Sequence, residues 1–114
     1  MKVIVAGSRS IHSFEAVARA IERSGFSISE VVSGGAEGVD QIGKGWAYAH
    51  SIPSKQFNPA WKENGKAAGP MRNREMAKYA DALIAVWDGK SRGTKNMIEE
   101  MKKLNKPVFW ITVL

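Results

Sequence analysis

The chain has 114 residues, of which 44% are hydrophobic and 25% charged, a size and composition typical of one globular domain. It contains no cysteine, which excludes disulfides and cysteine-ligated metal sites, and no apolar run approaches the roughly 18 residues of a membrane span. The formal net charge of +6 indicates either an anionic partner or a solvated basic surface. We therefore expect a single domain over residues 1–114, located in the cytoplasm of the source cell or of an infected host.

The first elements in the chain predict a strand followed by a helix. Residues 3–6 form a continuous apolar run that ends at Gly7, as in a strand buried on both faces. Apolar residues then recur at helical spacing over residues 14–21. Ser13 is suited to the N-cap of this helix and Gly25 to its end.

The middle of the chain predicts a weaker strand, a second helix and an edge strand. Val31 and Val32 are the only apolar pair of the second strand, and the next helical stripe runs from Val39 to Ala49. Residues 52–57 predict a third strand, which Pro53 restricts to an edge of the sheet or to the first position of a strand.

The remaining segments continue the alternation after an irregular stretch. Residues 58–69 look irregular, and Pro70 suits the first turn of a helix that runs to about Tyr79. A strand over 82–87, a helix over 94–104 and a strand over 107–113 follow. Strands that alternate with helices predict an α/β fold, a three-layer sandwich with a mostly parallel sheet of about five strands.

In such a fold the turns that follow the strands meet at the carboxyl edge of the sheet, where ligands bind. These turns contain most of the glycines and a set of basic residues. The basic residues in or beside them are Arg9, Lys62, Lys66, Arg72, Arg74, Lys90, Arg92 and Lys95. We therefore expect a basic ligand-binding rim.

Two glycine-containing turns are candidates for binding an anion through backbone N–H groups. The first holds Gly34, Gly35 and Gly38, and the second holds Gly93 and Thr94. The alternative for at least one glycine is that it only permits a tight turn. No Gly-Lys-Ser/Thr follows, so the first turn is not a P-loop, and Ser33 replaces the first glycine of the dinucleotide-binding fingerprint.

Polar side chains near these turns have two interpretations each. Arg72 is a candidate for gripping a phosphate or carboxylate, and Asn73 is either a polar group at a helix start or a base contact. Glu37 and Asp40 either offset the dipole of the following helix or accept hydrogen bonds from ribose hydroxyls. Trp61 is a candidate for stacking on a base. The two histidines are isolated, so we expect no metal site.

Together these turns resemble the SLOG superfamily of Rossmann-like nucleotide-binding domains, and most of all its small stand-alone YspA-like members from bacteria and phages. The similar stretches are VIVAGSRSI, VVSGGAEGVDQIGKGWA and GPMRNREMAKYADALIAVWDGKSRGTKNMI. They occur in the family order and cover nearly the whole chain. SGGAEGVD is also similar to a segment of the Smf-type DNA-processing proteins, which bind single-stranded DNA.

The resemblance extends to the LOG phosphoribohydrolases, which release a base from a nucleoside monophosphate. Arg72 matches the family arginine, but Met97 stands where those enzymes have the glutamate that assists cleavage. A replacement would have to come from Asp40, Glu37 or Glu99, so the candidates for catalysis are Asp40, Glu37 and Arg72. Whether the chain is an enzyme stays open at this point.

The resemblance implies a nucleotide or nucleotide derivative, such as an ADP-ribose-type signal, bound at the carboxyl edge. The residues expected to bind it are Gly7, Ser8, Arg9, Ser33, Gly34, Gly35, Gly38, Asp40, Arg72, Asn73, Asp88, Ser91, Gly93 and Thr94. The alternatives are an N-glycosidic hydrolase and a single-stranded nucleic-acid binder. We expect no cofactor and no membrane partner, and the resemblance implies a homo-oligomer, dimeric or higher.

Overall fold

The computed structural model describes residues 1–113, which form an α/β fold with one five-stranded parallel sheet. The strands are β1 (Lys2–Gly7), β2 (Glu30–Ser33), β3 (Ser54–Gln56), β4 (Ala82–Trp87) and β5 (Val108–Thr112). The helices are α1 (Phe14–Ser24), α2 (Val39–Ala49), α3 (Trp61–Asn64), α4 (Ala68–Tyr79) and α5 (Arg92–Lys103). The strand order is β3-β2-β1-β4-β5, and every neighbouring pair is parallel. The predicted fold class is therefore confirmed.

Helices cover both faces of the sheet and make it the middle of three layers. Alternate residues of β1 point to opposite sides, so Val3 and Val5 pack with α1 and α2, whereas Ile4 and Ala6 pack with α4 and α5. Because both faces are buried, the central strands β1 and β4 consist almost entirely of apolar residues. Within residues 1–113, none of the helices has both the length and the apolar character needed to cross a bilayer.

The predicted boundaries of α1 and α2 agree with the structure. The Ser13 hydroxyl accepts a hydrogen bond from the Ala16 N–H at 3.1 Å, as an N-cap does. Gly25 ends α1 with a φ of 71°, a conformation that glycine adopts without strain. The third strand also lies at the sheet edge, as Pro53 led us to expect.

The prediction for residues 58–69 is wrong in part, because the segment is more regular than its composition indicates. It contains α3 and a 3₁₀ turn (Gly65–Ala67), and α4 already begins at Ala68. No residue of α3 is buried, so the apolar periodicity that identifies a helix in a sequence is absent there. The structural consequence is that Trp61, 53% exposed, stands beside the carboxyl edge of the sheet.

Candidate functional site

The main candidate site lies where the connections from β1 and β4 leave the sheet towards opposite faces. The chain passes from β1 to α1 on one face and from β4 to α5 on the other, which opens a crevice between these strands. A cavity of about 240 Å³ occupies this crevice. This central cavity is lined by Arg9, Asp40, Arg72, Gly93 and Thr94, among others, with Met76 and Met97 as apolar wall.

Two further cavities adjoin the central one and share Arg9 and Arg72 with it. The loop cavity, about 340 Å³, also contacts Gly34, Gly35, Glu37 and Trp61. The cationic cavity, about 260 Å³, also contacts Trp61, Lys66, Arg92 and Asn96. Because the three cavities meet at two guanidinium groups, a ligand larger than any one of them can extend from one into the next.

The loop of residues 33–40 is held together by its own side chains. The Ser33 hydroxyl accepts a hydrogen bond from the Gly35 N–H at 3.1 Å, and Asp40 Oδ2 accepts one from the Ala36 N–H at 3.2 Å. The Ser33 hydroxyl in turn donates to the Asp40 carbonyl oxygen at 3.3 Å. The loop therefore has internal acceptors for two of its N–H groups, and it curves around the Asp40 carboxylate.

Gly34 leaves room for the two charged side chains that meet beside the loop. A Cβ atom at this position would collide with the Arg72 guanidinium and would lie 2.9 Å from Asp40 Oδ2. Arg72 Nη1 donates to the Gly34 carbonyl oxygen at 2.7 Å. The absence of a side chain at Gly34 therefore allows α4 to place its arginine directly against the loop.

Asp40 is a buried carboxyl group, with 5% of its surface exposed. Burial raises the pKa of Asp40 to about 6, although the Ala36 N–H, the Arg72 charge and the N–H groups of Gly7 and Gly34 act in the opposite direction. A carboxyl group that titrates near neutral pH in a ligand-sized cavity is a candidate for binding or proton transfer.

Arg72 is half-buried and lies close to a second arginine. Burial lowers its pKa, the Asp40 charge opposes this effect, and the like charge of Arg9 lowers the pKa further. Among residues 1–113 the salt bridges are those of Glu100 with Arg74 and Lys103. Arg9 and Arg72 form none, although the Asp40 charge acts on Arg72. An anion placed between the two guanidinium groups would relieve their repulsion.

Asn73 connects α4 to the start of α5. Its Nδ2 donates to the Gly93 carbonyl oxygen at 3.2 Å and to Asn96 Oδ1 at 2.9 Å, while its Oδ1 accepts from Arg72 Nε at 3.0 Å. Asn73 is 5% exposed, and every one of these contacts is internal. The side chain thus fixes Arg72 relative to α5, a role that differs from both a helix-start polar group and a base contact.

The loops after β1 and β4 are joined to each other by Ser8 and Asp88. The buried Ser8 hydroxyl accepts from the Asp88 N–H at 2.9 Å. Asp88 Oδ1 accepts from the N–H groups of Lys90 and Ser91, both at 2.8 Å, and these bonds lower its pKa. Both side chains therefore order the β4–α5 turn that forms one wall of the crevice.

Ser91 and Gly93 begin α5 at the edge of the central cavity. The Ser91 hydroxyl accepts hydrogen bonds from the Thr94 N–H at 3.4 Å and from the Thr94 hydroxyl at 3.2 Å. The first N–H groups of a helix have no acceptor within the helix, so the amides near Gly93 are suited to an anion. A Cβ at Gly93 would meet nothing within 4 Å, so internal packing does not require glycine at this position.

Met97 stands where the LOG enzymes have a glutamate, and neither glutamate of α5 reaches the central cavity in its place. Met97 is 2% exposed and lines the central cavity, Glu99 is exposed, and Glu100 is buried against Arg74 and Lys103. Glu37 is exposed and contacts the loop cavity, outside α2. Asp40 is thus the one carboxylate among residues 1–113 that lines the central cavity.

The structure brings most of the predicted ligand residues to this crevice, in unequal roles. The central cavity includes Gly7, Arg9, Asp40, Arg72, Asn73, Ser91, Gly93 and Thr94, and the loop cavity adds Gly34 and Gly35. Ser8, Ser33 and Gly38 line none of the three cavities, and Asp88 lies in a separate cavity with His12 and Lys90. Met76 and Asn96 also line these cavities but are absent from the predicted ligand residues. Their helical spacing from other cavity residues was the signal that could have indicated them.

Among residues 1–113, no group of three or more His, Cys, Asp or Glu side chains is arranged to hold a metal ion. The polar side chains that line the three cavities carry guanidinium, ammonium, amide, hydroxyl and carboxyl groups.

The strand order defines a Rossmann-like domain, and its central cavity lies at the switch point of the sheet, where folds of this kind bind ligands. The chain belongs to the YspA, cpYpsA-related SLOG family, whose model matches residues 1–63. It is 32% identical over 117 residues to the Gene 61 protein of Mycobacterium phage D29, covering 94% of this chain and 93% of that relative. No solved structure matches significantly. Membership of the SLOG family indicates the binding or processing of nucleotide-related molecules in general.

Proposed function

We propose that the protein binds a nucleotide or nucleotide derivative in the central cavity, with a phosphate between Arg9, Arg72 and the backbone N–H groups near Gly93. The observation that carries this proposal is the pair of guanidinium groups that face one cavity, neither of which forms a salt bridge. Two like charges side by side are unfavourable in the free protein, and a bound phosphate can accept hydrogen bonds from both.

The surroundings of these arginines support a ribose phosphate over a bare anion. Asp40 lies in the same cavity, and a carboxylate can accept hydrogen bonds from ribose hydroxyls. Trp61 contacts both neighbouring cavities and offers an aromatic face to a base. A simple phosphate ion would use neither group, whereas a nucleotide would use both.

Replacement of Arg9 by glutamine tests the proposal. Arg9 is exposed, so the fold should be unaffected, while loss of its charge should weaken nucleotide binding about tenfold or more. Titration calorimetry with AMP, ADP and ADP-ribose measures this effect. Arg19→Gln on α1 is the matched control, since Arg19 is also exposed but lines none of the three cavities.

The wild-type result decides the proposal before any variant is compared. Affinities in the micromolar range for at least one nucleotide are expected. If no member of the panel binds more tightly than about 1 mM, or if both arginine variants weaken binding equally, this site is not a nucleotide site.

Hydrolysis of an N-glycosidic bond is the second candidate function, and the observation that favours it is the buried carboxyl group of Asp40 in the central cavity. Because burial raises its pKa to about 6, this carboxyl group can exchange a proton near neutral pH inside the cavity. Base release from nucleoside monophosphates, followed by chromatography, should then occur with the wild type and fall at least about 100-fold in Asp40→Asn. Base release that persists in this variant would exclude Asp40 from the reaction.

A further inference from the structure

The cationic cavity differs from the central cavity in the charges of its side chains. Four positively charged residues contact it, namely Arg9, Lys66, Arg72 and Arg92, and no acidic residue does. Among residues 1–113 the salt bridges involve other side chains, and Asp40, whose charge acts on Arg72, lines the central cavity instead. Four cations around about 260 Å³ with no acidic side chain in the lining favour an anionic occupant.

These cations come from four separate segments of the chain. Arg9 follows β1, Lys66 lies in the 3₁₀ turn before α4, Arg72 lies in α4, and Arg92 is the first residue of α5. Asn73, which is buried, joins Arg72 to the carbonyl oxygen of Gly93 and thereby fixes α4 against the start of α5. Internal hydrogen bonds therefore hold Arg72 near the backbone from which Arg92 extends.

The cationic cavity is continuous with the central cavity through Arg9 and Arg72. A phosphate that contacts both arginines borders the cationic cavity as well as the central cavity, which contains Asp40. The acidic side suits ribose hydroxyls, and the other side suits a further negative charge.

We propose that the cationic cavity is a second phosphoryl subsite, so that the ligand is a nucleotide with at least two phosphoryl groups, such as a nucleoside diphosphate or a dinucleotide. This inference rests on the proposed nucleotide site and specifies its ligand. Lys66 and Arg92 contact the second phosphoryl group, while Arg9 and Arg72 lie between the two.

The double variant Lys66→Ala/Arg92→Ala tests the subsite. In calorimetry at about 0.15 M ionic strength, ADP should bind the wild type about tenfold or more tightly than AMP. The double variant should lose this gain and keep its AMP affinity within about twofold. The matched control is Lys62→Ala/Lys95→Ala, which removes the same charge from exposed residues of α3 and α5 that line none of the three cavities.

Orthophosphate and pyrophosphate form a second arm without a nucleoside. Pyrophosphate should bind about tenfold more tightly than orthophosphate, and this gain should also depend on Lys66 and Arg92. If nucleotides fail to bind but this dependence is observed, the proposed nucleotide function falls and the paired anion site stands. If nucleotides bind without a gain from a second phosphoryl group, or if both double variants behave alike, the subsite is overturned.

Discussion

Replacing Gly7 with alanine is expected to destabilise the fold by about 3 kcal/mol or more. Gly7 is the last residue of β1 and pairs with Val86 of β4. A Cβ there would overlap the Val86 carbonyl oxygen and would lie 2.8 Å from a methyl group of Val39. Because the obstacle is backbone of a central strand, relief requires β1 and β4 to separate at the edge where the central cavity lies. Urea unfolding followed by circular dichroism measures the loss.

Two glycines of α2 provide graded controls for the same substitution. A Cβ at Gly43 would lie 2.8 Å from two side-chain atoms of Val5, so Gly43→Ala should cost about 1–3 kcal/mol through overpacking. A Cβ at Gly45 would meet nothing within 4 Å, and alanine is the better helix former, so Gly45→Ala should stabilise the fold by up to about 1 kcal/mol. Equal effects at all three positions would contradict the packing argument.

These glycines show what the sequence could and could not predict. The pattern Gly34, Gly35, Gly38 indicated a phosphate loop, but the structure gives each glycine a different environment. Gly38 has a φ of 73° and brings its backbone against the carbonyl oxygens of Ser8 and Arg9, and Gly34 admits Arg72. Contacts between residues far apart in the chain determine these roles, so local spacing cannot distinguish a glycine required by packing from one that faces a ligand.

The fold itself was predictable because burial imposes simple patterns on the chain. Because β1 and β4 are buried on both faces of the sheet, their residues form continuous apolar runs. Because α1 and α5 are each buried on one face, their apolar residues recur at helical spacing. α3 escaped prediction because it buries no residue. The sequence identifies Trp61 of this helix as a candidate for stacking on a base. That Trp61 lines a cavity together with Arg9 and Arg72 follows only from the fold.

The sequence predicts which loops form the candidate site, but it does not predict the hydrogen bonds between their side chains. Arg72 was identified from its position, yet its hydrogen bonds to Gly34 and Asn73 depend on how α4 meets the loop of residues 33–40 and α5. Neither of the two roles predicted for Asn73 includes its hydrogen bond to Asn96, because Asn96 lies 23 residues away in the sequence. Asp40 lies in the first turn of α2, as its position in the sequence indicates, but its burial depends on the assembled crevice.

Replacing Asp40 with asparagine is expected to stabilise the protein progressively as the pH rises. The folded pKa of about 6 lies above the ordinary value of 3.8, so the folded state binds the proton more tightly than the unfolded state. The stability that Asp40 contributes is thus fully present below pH 3.8 and is lost as the pH rises through 6. Between pH 4.5 and 7.5 the unfolding free energy of Asp40→Asn should rise by about 2 kcal/mol relative to wild type.

Asp88→Asn is the matched control for this measurement, because the pKa of Asp88 is shifted in the opposite direction. Two backbone N–H groups lower it, so its contribution to stability is lost only as the pH falls below the ordinary range of an aspartate. The difference between Asp88→Asn and wild type should therefore stay nearly constant between pH 4.5 and 7.5. A constant difference for Asp40→Asn as well would show that water reaches the Asp40 carboxyl group and that it ionises normally.

The expected result would also separate the two roles open to Asp40. A neutral amide can accept the Ala36 N–H as the carboxylate does, so the fold does not require the charge. At neutral pH the ionised carboxylate lowers the stability of the loop that it organises, a disadvantage that asparagine would avoid. If Asp40→Asn is more stable than wild type at pH 7.5 yet binds nucleotides less tightly, the carboxylate contributes to ligand binding and not to stability. Asp40 then belongs to the binding site.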